Sequence, residues 1–427
     1  MHSYYMKLRN GNIVWAVWKG MVVRMSHIII VGGGASGLMA GIMAARNKHK
    51  VTILEHKDKA GKKILATGNG KCNFTNLVQN EDCYRGNEEG FPLKVINQFN
   101  VKQTIEFFSE LGIYPKEKRG YLYPNSEQAA SVTEVLLAEL KYLKVQIVAG
   151  VHVDKITPLK QGFLVWGGHR EYRGDKVILA TGGQASPNLG SDGSGYVLAK
   201  ALGHKIIKPL PALVQLKSDM KYFKTLSGVR CAASICLYVN KRKAAKEEGE
   251  VLFAAYGISG IPVMQISRFA ALALDERKTV SLAVDFFPEL SKEELFNNLS
   301  KRTKRIPDRG AEEAFTGLLN NKLLYVLLKE GKIPVDLPCK RLTAERIMEF
   351  TRLLKGLSIQ ISGTNSFEQA QVCAGGIATP EIDCNTMESK IVKGLYMCGE
   401  LLDVDGTCGG YNLQWAWSSG MVAGKSV

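Results

Sequence analysis

No apolar run in these 427 residues is long enough to cross a bilayer as a helix, which takes about 20 consecutive apolar residues. The nearest approach, residues 13–18 and 21–23, is broken by Lys19 and Gly20, and no small-residue cleavage site follows it. Neither a membrane span nor a signal peptide is expected. Paired cysteines are missing too. The nine cysteines are scattered and odd in number, with no CxxC or CxxH spacing, which argues against a zinc site or a redox disulfide and favours a reducing, cytoplasmic setting. No metal site is expected. There is no internal repeat and no low-complexity tract. Acidic residues are in deficit, 40 Asp and Glu against 56 Lys and Arg, for a formal charge of +16. Between 204 and 365 the balance is 27 basic to 17 acidic residues, so ten of the sixteen excess charges lie there. Such a surplus is either a solvated surface or an attractor of phosphates and other anions, with nucleic acid the less favoured partner.

What is present is an ordinary globular composition, 45% apolar and 22% charged, on a chain long enough for two or three domains. Residues 27–31 (HIIIV) form a short β-branched run of the kind buried on both faces of a sheet. A glycine turn, a helix over 38–47 and a strand over 51–54 complete a βαβ unit. Helices are expected over 101–112 and 126–143, a strand over 145–148, an antiparallel excursion over 151–173, and a buried strand over 177–180. From about 204 the texture changes: Pro209 and Pro211 mark a boundary, 229–239 and 279–284 alternate as antiparallel strands, and 291–357 is helical and Leu-rich. Glycine-rich βα texture returns from about 368. The expected architecture is α/β: a discontinuous Rossmann-like dinucleotide domain over 26–203 and 366–427, a β-plus-helical substrate domain inserted over 204–365, and an N-terminal appendage over 1–25.

Gly32-Gly33-Gly34-Ala35-Ser36-Gly37 matches GxGxxG from Gly32. Gly32 permits the tight turn, Gly34 lets backbone approach a pyrophosphate, and Gly37 allows the helix to pack on the strand. Glu55 closes the second strand 18 residues after Gly37, close to the spacing of about 20 for a ribose-binding carboxylate. The motif leaves FAD and NAD open. Two further segments favour FAD: 177–183 (VILATGG), a strand running into a small-residue turn, and 394–400 (GLYMCGE), whose Glu400 is placed to accept from a polyol hydroxyl. Gly409-Gly410-Tyr411-Asn412-Leu413 then enters a helix over 414–423, whose N–H groups face an electron-rich ring edge. A cofactor gripped by both ends of one chain is a long one, and NAD alone would not need the second grip.

Taken together, VGGGASGLMA, KKILATGNGKCNFTN, VILATGG, GSDGSGYVLAKALGH, LFAAYGISGIPVMQIS, AGGI and GELLDVDGTCGGYNLQWAWSSG resemble a widespread bacterial family of FAD-dependent NAD(P)/FAD oxidoreductases. One clostridial branch of that family is associated with reduction of conjugated double bonds in 3-oxo bile acids. The resemblance runs from about Met25 to the C-terminus and implies a discontinuous FAD domain with an inserted β-barrel-like and helical region. It implies a pyrophosphate turn at Gly32, Gly34, Ala35, Ser36 and Gly37, with Glu55 on the adenosine ribose and His56 beside it. Lys62, Lys63, Thr67, Gly68, Asn69, Gly70, Lys71, Cys72 and Asn73 correspond to a loop passing along the flavin. Val153, Ala180, Thr181 and Gly182 join the cofactor set, and Gly399, Glu400, Asp405, Gly410, Tyr411, Asn412 and Leu413 form the C-terminal grip. The chain departs from the family where many members carry Thr and then an acidic residue or His after the Leu-Phe pair. Here stand Ala254 and Ala255, which handle no protons. Cys373 replaces a frequent Thr.

Three residues are candidates for chemistry. Cys72, beside Lys71, reads as a reactive thiol or simply as a small residue next to the cofactor. Tyr256 and Tyr411 read as proton donors to carbon or as packing aromatics. Cys408 carries the same ambiguity as Cys72, Arg119 reads as a substrate-orienting cation or a surface turn, and His204 as a capping or core histidine. No second GxGxxG makes a separate nicotinamide domain, so NAD(P)H is expected as a transient reductant. The leading expectation is a reductase of an unsaturated or enone-type small molecule, steroid- or bile-acid-like compounds included. An RNA-modifying flavoprotein and a non-catalytic flavin redox sensor are the alternatives. Substrate identity and oligomeric state are not legible.

Overall fold

The computed structural model describes residues 4–9, 12–17 and 25–427, with side chains from 25 onward. Tyr4–Arg9 and Asn12–Val17 pair with each other antiparallel and with no other described strand. Residues 21–23, part of the expected N-terminal apolar run, lie outside the described residues.

The first core is built on β1 (His27–Val31), α1 (Ala35–Arg46) and β2 (Lys50–Glu55). α2 (Ala129–Tyr142) leads to β3 (Gln146–Ala149), and after an antiparallel excursion the chain returns as β4 (Lys176–Leu179). With β11 (Leu395–Met397) these make a five-stranded parallel sheet in the order β11-β4-β1-β2-β3. Ile28, Ile29 and Ile30 are wholly buried, as a strand covered on both faces requires. The mixed fold is therefore α/β with a Rossmann-like parallel sheet.

Between β4 and β11 the chain builds a second core, made of residues from Leu216 to Ile361. The path out and back is a two-stranded ladder of β5 (Ile206–Ala212) with β10 (Val372–Ile377). The long strands β6 (Arg230–Val239) and β7 (Arg242–Ala254) form a hairpin, followed by α3 (Ile261–Asp275), β8 (Val280–Asp285) and β9 (Leu357–Ile361). These strands belong to a seven-stranded antiparallel sheet, whose two edges are β9 and the short strand Gly363–Thr364. Only Ser362 separates those edges in the chain, so the sheet curls round on itself like a barrel. The helices Lys292–Arg305, Ala311–Phe315, Asn321–Glu330 and Ala344–Leu354 fill the Leu-rich stretch.

The C-terminal helix α4 (Tyr411–Ser426) ties the ends of the chain together. A Cβ on Gly420 would stand 2.4 Å from the Ser36 carbonyl oxygen, and one on Gly424 2.3 Å from that of Ala40. Only glycine lets α4 lie this close to α1. Its polar side chains are buried but satisfied. The Gln414 amide donates to the Phe99 carbonyl, Thr104 and Ser418, while its oxygen accepts from Thr75. The Trp415 and Trp417 indoles donate to the carbonyls of Gly399 and Phe74. The QWAWSS segment thus fastens both the 67–76 loop and the 399–406 segment to one helix.

Candidate functional site

A cavity of about 690 Å³ runs between the C-terminal ends of the parallel strands and the inserted region, within the usual range of about 300–1,000 Å³ for ligand sites. Two helices open onto it. The N-cap of α1 is Gly34 and that of α4 is Gly410, and neither helix carries an acidic residue in its own first turn.

The glycine turn is explained by what surrounds each position. Gly32 has φ +105°, and a Cβ there would meet the Ala180 carbonyl oxygen at 2.4 Å. A Cβ on Gly37 would stand 2.0 Å from the Gly32 carbonyl oxygen, so Gly37 is the helix–strand contact and does not itself line the cavity. A Cβ on Gly34 would meet nothing within 4 Å. Gly34 faces open space at a helix N-terminus, the arrangement that binds phosphate. Ala35 and Ser36 line the same wall.

Glu55 also lines the cavity. Its carboxylate accepts from the N–H groups of Gly33 and Lys57, both at 2.7 Å, so strand end and glycine turn are locked together. His56, Val153, Ala180, Thr181 and Gly182 continue this wall. On the other side lie Lys62, Lys63, Thr67, Gly68, Asn69 and Asn73. The Lys63 ammonium is 2.7 Å from Glu400 and also donates to the Ala185 carbonyl, and Glu400 accepts from the Cys373 N–H. One ion pair thereby joins the N-terminal loop to the C-terminal segment across the site. Asn73 presents a buried side-chain oxygen with no hydrogen-bond partner.

Gly410, Asn412 and Leu413 line the cavity, but Tyr411 does not. Successive helix residues are turned by about 100°, and Tyr411 points inward, its ring packed edge-on against Tyr84 at 5.9 Å. Burial and the neighbouring Cys83 push its hydroxyl well above the usual tyrosine value. The expected proton-donor placement of Tyr411 is corrected on this geometry. Tyr256 is likewise outside the cavity, half-exposed in the turn after β7. Cys72 is fully buried and not in the lining, and burial pushes its thiol up to about 12. The neighbouring Lys71 ammonium is committed to Glu127. Burial thus disfavours a thiolate there.

Gly70, Gly399 and Asp405 are also absent from the lining. Asp405 is buried against Arg268 of α3, 2.8 Å away. Burial outweighs the attraction of Arg268 and raises its carboxyl to about 6. Arg119 sits at positive φ in the turn between the strands Pro115–Lys118 and Tyr121–Pro124, outside the lining. His204 is a core histidine held between Glu381 and Ser389.

Several lining residues were given no role by the sequence, although Ile261 and Met264 fall within the LFAAYGISGIPVMQIS segment. Tyr121 and Tyr123 cross the open side from the 115–124 hairpin, while Leu213, Ile261 and Met264 present apolar surface from the inserted region. Ile261 is 65% exposed at the start of α3, an apolar side chain left in the open beside a cavity. Proximity of α3 to the 399–413 segment places it there, and no local pattern reveals that proximity.

The residues present fit a dinucleotide flavin on structural grounds. An anion-binding turn with open space in front of it, a carboxylate at the strand end, a second helix N-terminus and an unpartnered buried acceptor at Asn73 are the features that such a cofactor's pyrophosphate, ribose and ring N–H require.

The chain is similar to several known proteins. Over 405 residues, 94% of this chain and 99% of the relative, the sequence is 44% identical to the 3-dehydro-bile acid delta(4,6)-reductase of Clostridium scindens. It is 30% identical to the ribosomal RNA dihydrouridine synthase of Haemophilus influenzae, over 94% of this chain and 98% of that one. Among solved structures, a 3-ketosteroid-delta4-(5alpha)-dehydrogenase from Rhodococcus jostii covers 96% of the chain and is itself covered to 98%, at 15% identity and a TM-score of 0.45. The sequence profile described as HI0933-like protein Rossmann domain matches residues 26–426. The chain therefore belongs to the HI0933-like Rossmann-domain family.

Proposed function

We propose that this protein is an FAD-dependent reductase of carbon–carbon double bonds conjugated to a carbonyl, with an enone-type small molecule of steroid or bile-acid shape as substrate. The single observation that carries the proposal is the pair of helix N-termini, from opposite ends of the chain, opening onto one cavity. That cavity has apolar surface from Leu213, Ile261 and Met264 beside the Asn73 and Gly410 end. The two relatives named for reductase and dihydrouridine synthase share one piece of chemistry: each name describes adding two hydrogens across a C=C conjugated to a carbonyl.

FAD, when bound, supplies hydride chemistry. The chain's own residues supply the rest. Gly34 through Ser36 hold the pyrophosphate with backbone N–H groups, and Glu55 orients the ribose. Lys63 and Glu400 fix the two halves of the site relative to each other. Tyr121 and Tyr123 line the open side, where an aromatic hydroxyl is available to a substrate carbon or carbonyl. NAD(P)H is the reductant in this reading and binds transiently. We place the inserted substrate domain at 204–365 and the discontinuous cofactor domain at 26–203 and 366–427, in line with the two separate hydrophobic cores. All nine cysteines are unpaired, in keeping with a cytoplasmic setting. No helix among the described residues is long and apolar enough to cross a membrane.

The test is anaerobic mixing of the flavin-loaded protein with NADH and NADPH, followed by a steroid enone. Bleaching of the flavin band by a nicotinamide and its return on adding enone are expected. If no nicotinamide reduces the flavin, the reductant is wrong; if no enone reoxidises it, the substrate class is wrong.

A second reading, reduction of uridine in ribosomal RNA, is favoured by the ten excess positive charges between 204 and 365 and by the dihydrouridine synthase relative. It predicts RNA retention that falls steeply with salt and flavin reoxidation by RNA.

A further inference from the structure

At the end of the cavity bounded by Glu55, three side chains from separate parts of the fold converge. His56 follows β2, His152 lies between β3 and the strand Val153–Pro158, and Asp192 precedes the helix Ser194–Ala201. Their ligating atoms all lie within 4.8 Å of one another. His56 Nδ1 is 3.4 Å from Asp192 Oδ2, and His152 Nε2 is 3.7 Å from the same oxygen. These separations are long for hydrogen bonds. They lie close to the edges of a tetrahedron around an ion with bonds of about 2.0–2.2 Å, whose donors stand roughly 3.3–3.6 Å apart.

Two further observations point to a cation. His56 Nδ1 is buried and has no hydrogen-bond partner, the state of an imidazole nitrogen aimed at something absent from the protein itself. The other nitrogen of His152, Nδ1, is 3.0 Å from Asp154. That bond fixes the tautomer with its Nε2 lone pair turned toward Asp192, the carboxylate–histidine arrangement found behind metal ligands. Asp192 is equally prepared. Its Oδ1 accepts from the Ser194 N–H and hydroxyl, which leaves Oδ2 for the two imidazoles.

We propose that His56, His152 and Asp192 form a three-ligand site for a zinc-class divalent cation at the rim of the cavity, with Asp154 as the residue that positions His152. Two imidazoles and one carboxylate suit zinc better than magnesium or calcium, which prefer all-oxygen donor sets. Because His56 and His152 both line the cavity, the fourth position opens onto it and takes water or an oxygen of a bound ligand. The site does not depend on the flavin reading.

The test uses the full-length protein, dialysed against Zn²⁺ alone, with bound zinc measured by elemental analysis and its shell by X-ray absorption. One zinc per chain is expected, with a nitrogen and oxygen shell at about 2.0–2.2 Å and no sulfur. His152→Ala should lose the ion, and Asp154→Asn should weaken it roughly 10- to 100-fold. Circular dichroism reports whether the variants are folded. Absence of zinc from the wild-type protein overturns the site, as does a sulfur shell at about 2.3 Å or a folded His152→Ala variant that retains the same zinc.

Discussion

The glycines of the 32–37 turn do different jobs, and substitution separates them. Gly34→Ala adds a methyl group into open space at a φ of −81°, so the flavin-free protein should keep its thermal midpoint while FAD affinity falls at least tenfold. Gly37→Ala drives a Cβ into the Gly32 carbonyl and should cost about 1–3 kcal/mol of stability even without cofactor. Calorimetry of the apo-proteins with flavin titration checks both, and equal loss of stability in the two variants would contradict the assignment. Cys72→Ala should leave flavin reduction and reoxidation rates within a few fold, because the buried thiol is held near 12. Rapid-mixing absorbance would detect a larger loss. At this scale the sequence was legible where backbone geometry demands glycine. It was misleading where a side chain had to choose a direction: Tyr411 sits in the right segment, yet Tyr84, 327 positions earlier, draws its ring away from the cavity.

Among the elements, α1, β2 and α4 could be placed from apolar runs and the glycine turns beside them, within a few residues of their ends. What joins them was not legible. The contact of α1 with α4 rests on Gly420 and Gly424, which mean nothing until Ser36 and Ala40 are known to lie opposite. The contact of α3 with the C-terminal segment rests on Arg268 and Asp405, whose buried pairing no local signal announces. That pair gives a pH signature. The Asp405 carboxyl titrates near 6 in the folded protein, above its ordinary value of 3.8, so the native state binds the proton more tightly than the unfolded chain. Stability from this group is therefore full below about pH 4, declines as pH rises to about 6, and is constant above that. Chemical denaturation at a series of pH values should show the wild-type protein losing stability relative to Asp405→Asn across this window. A difference that does not change with pH would contradict the buried carboxyl. Arg268→Ala should be costly at pH 7, about 3–5 kcal/mol, and less so at pH 5 where its partner is neutral.

Across the whole molecule, the α/β fold followed from ordered motifs, because a parallel sheet needs crossover helices. Sheet order, the β5–β10 ladder and the curl of the inserted sheet depend on pairings more than 100 residues apart, such as Ile206 with Ile377. Periodicity carries no record of these. The inserted region therefore contributed charge and a helical texture to the sequence reading, but not the side chains it turns toward the cavity. Its surplus of ten positive charges also distinguishes the two substrate readings: RNA binding through it should weaken by orders of magnitude between low and moderate salt, while turnover of a neutral enone should barely respond. The most direct measurement is anaerobic reoxidation of the photoreduced flavoprotein, followed in the flavin band, with a steroid enone and with ribosomal RNA offered separately. The account predicts rapid, saturable reoxidation by the enone with loss of its conjugated chromophore. Reduced flavin that persists in the presence of the enone, whether or not RNA reoxidises it, would contradict it.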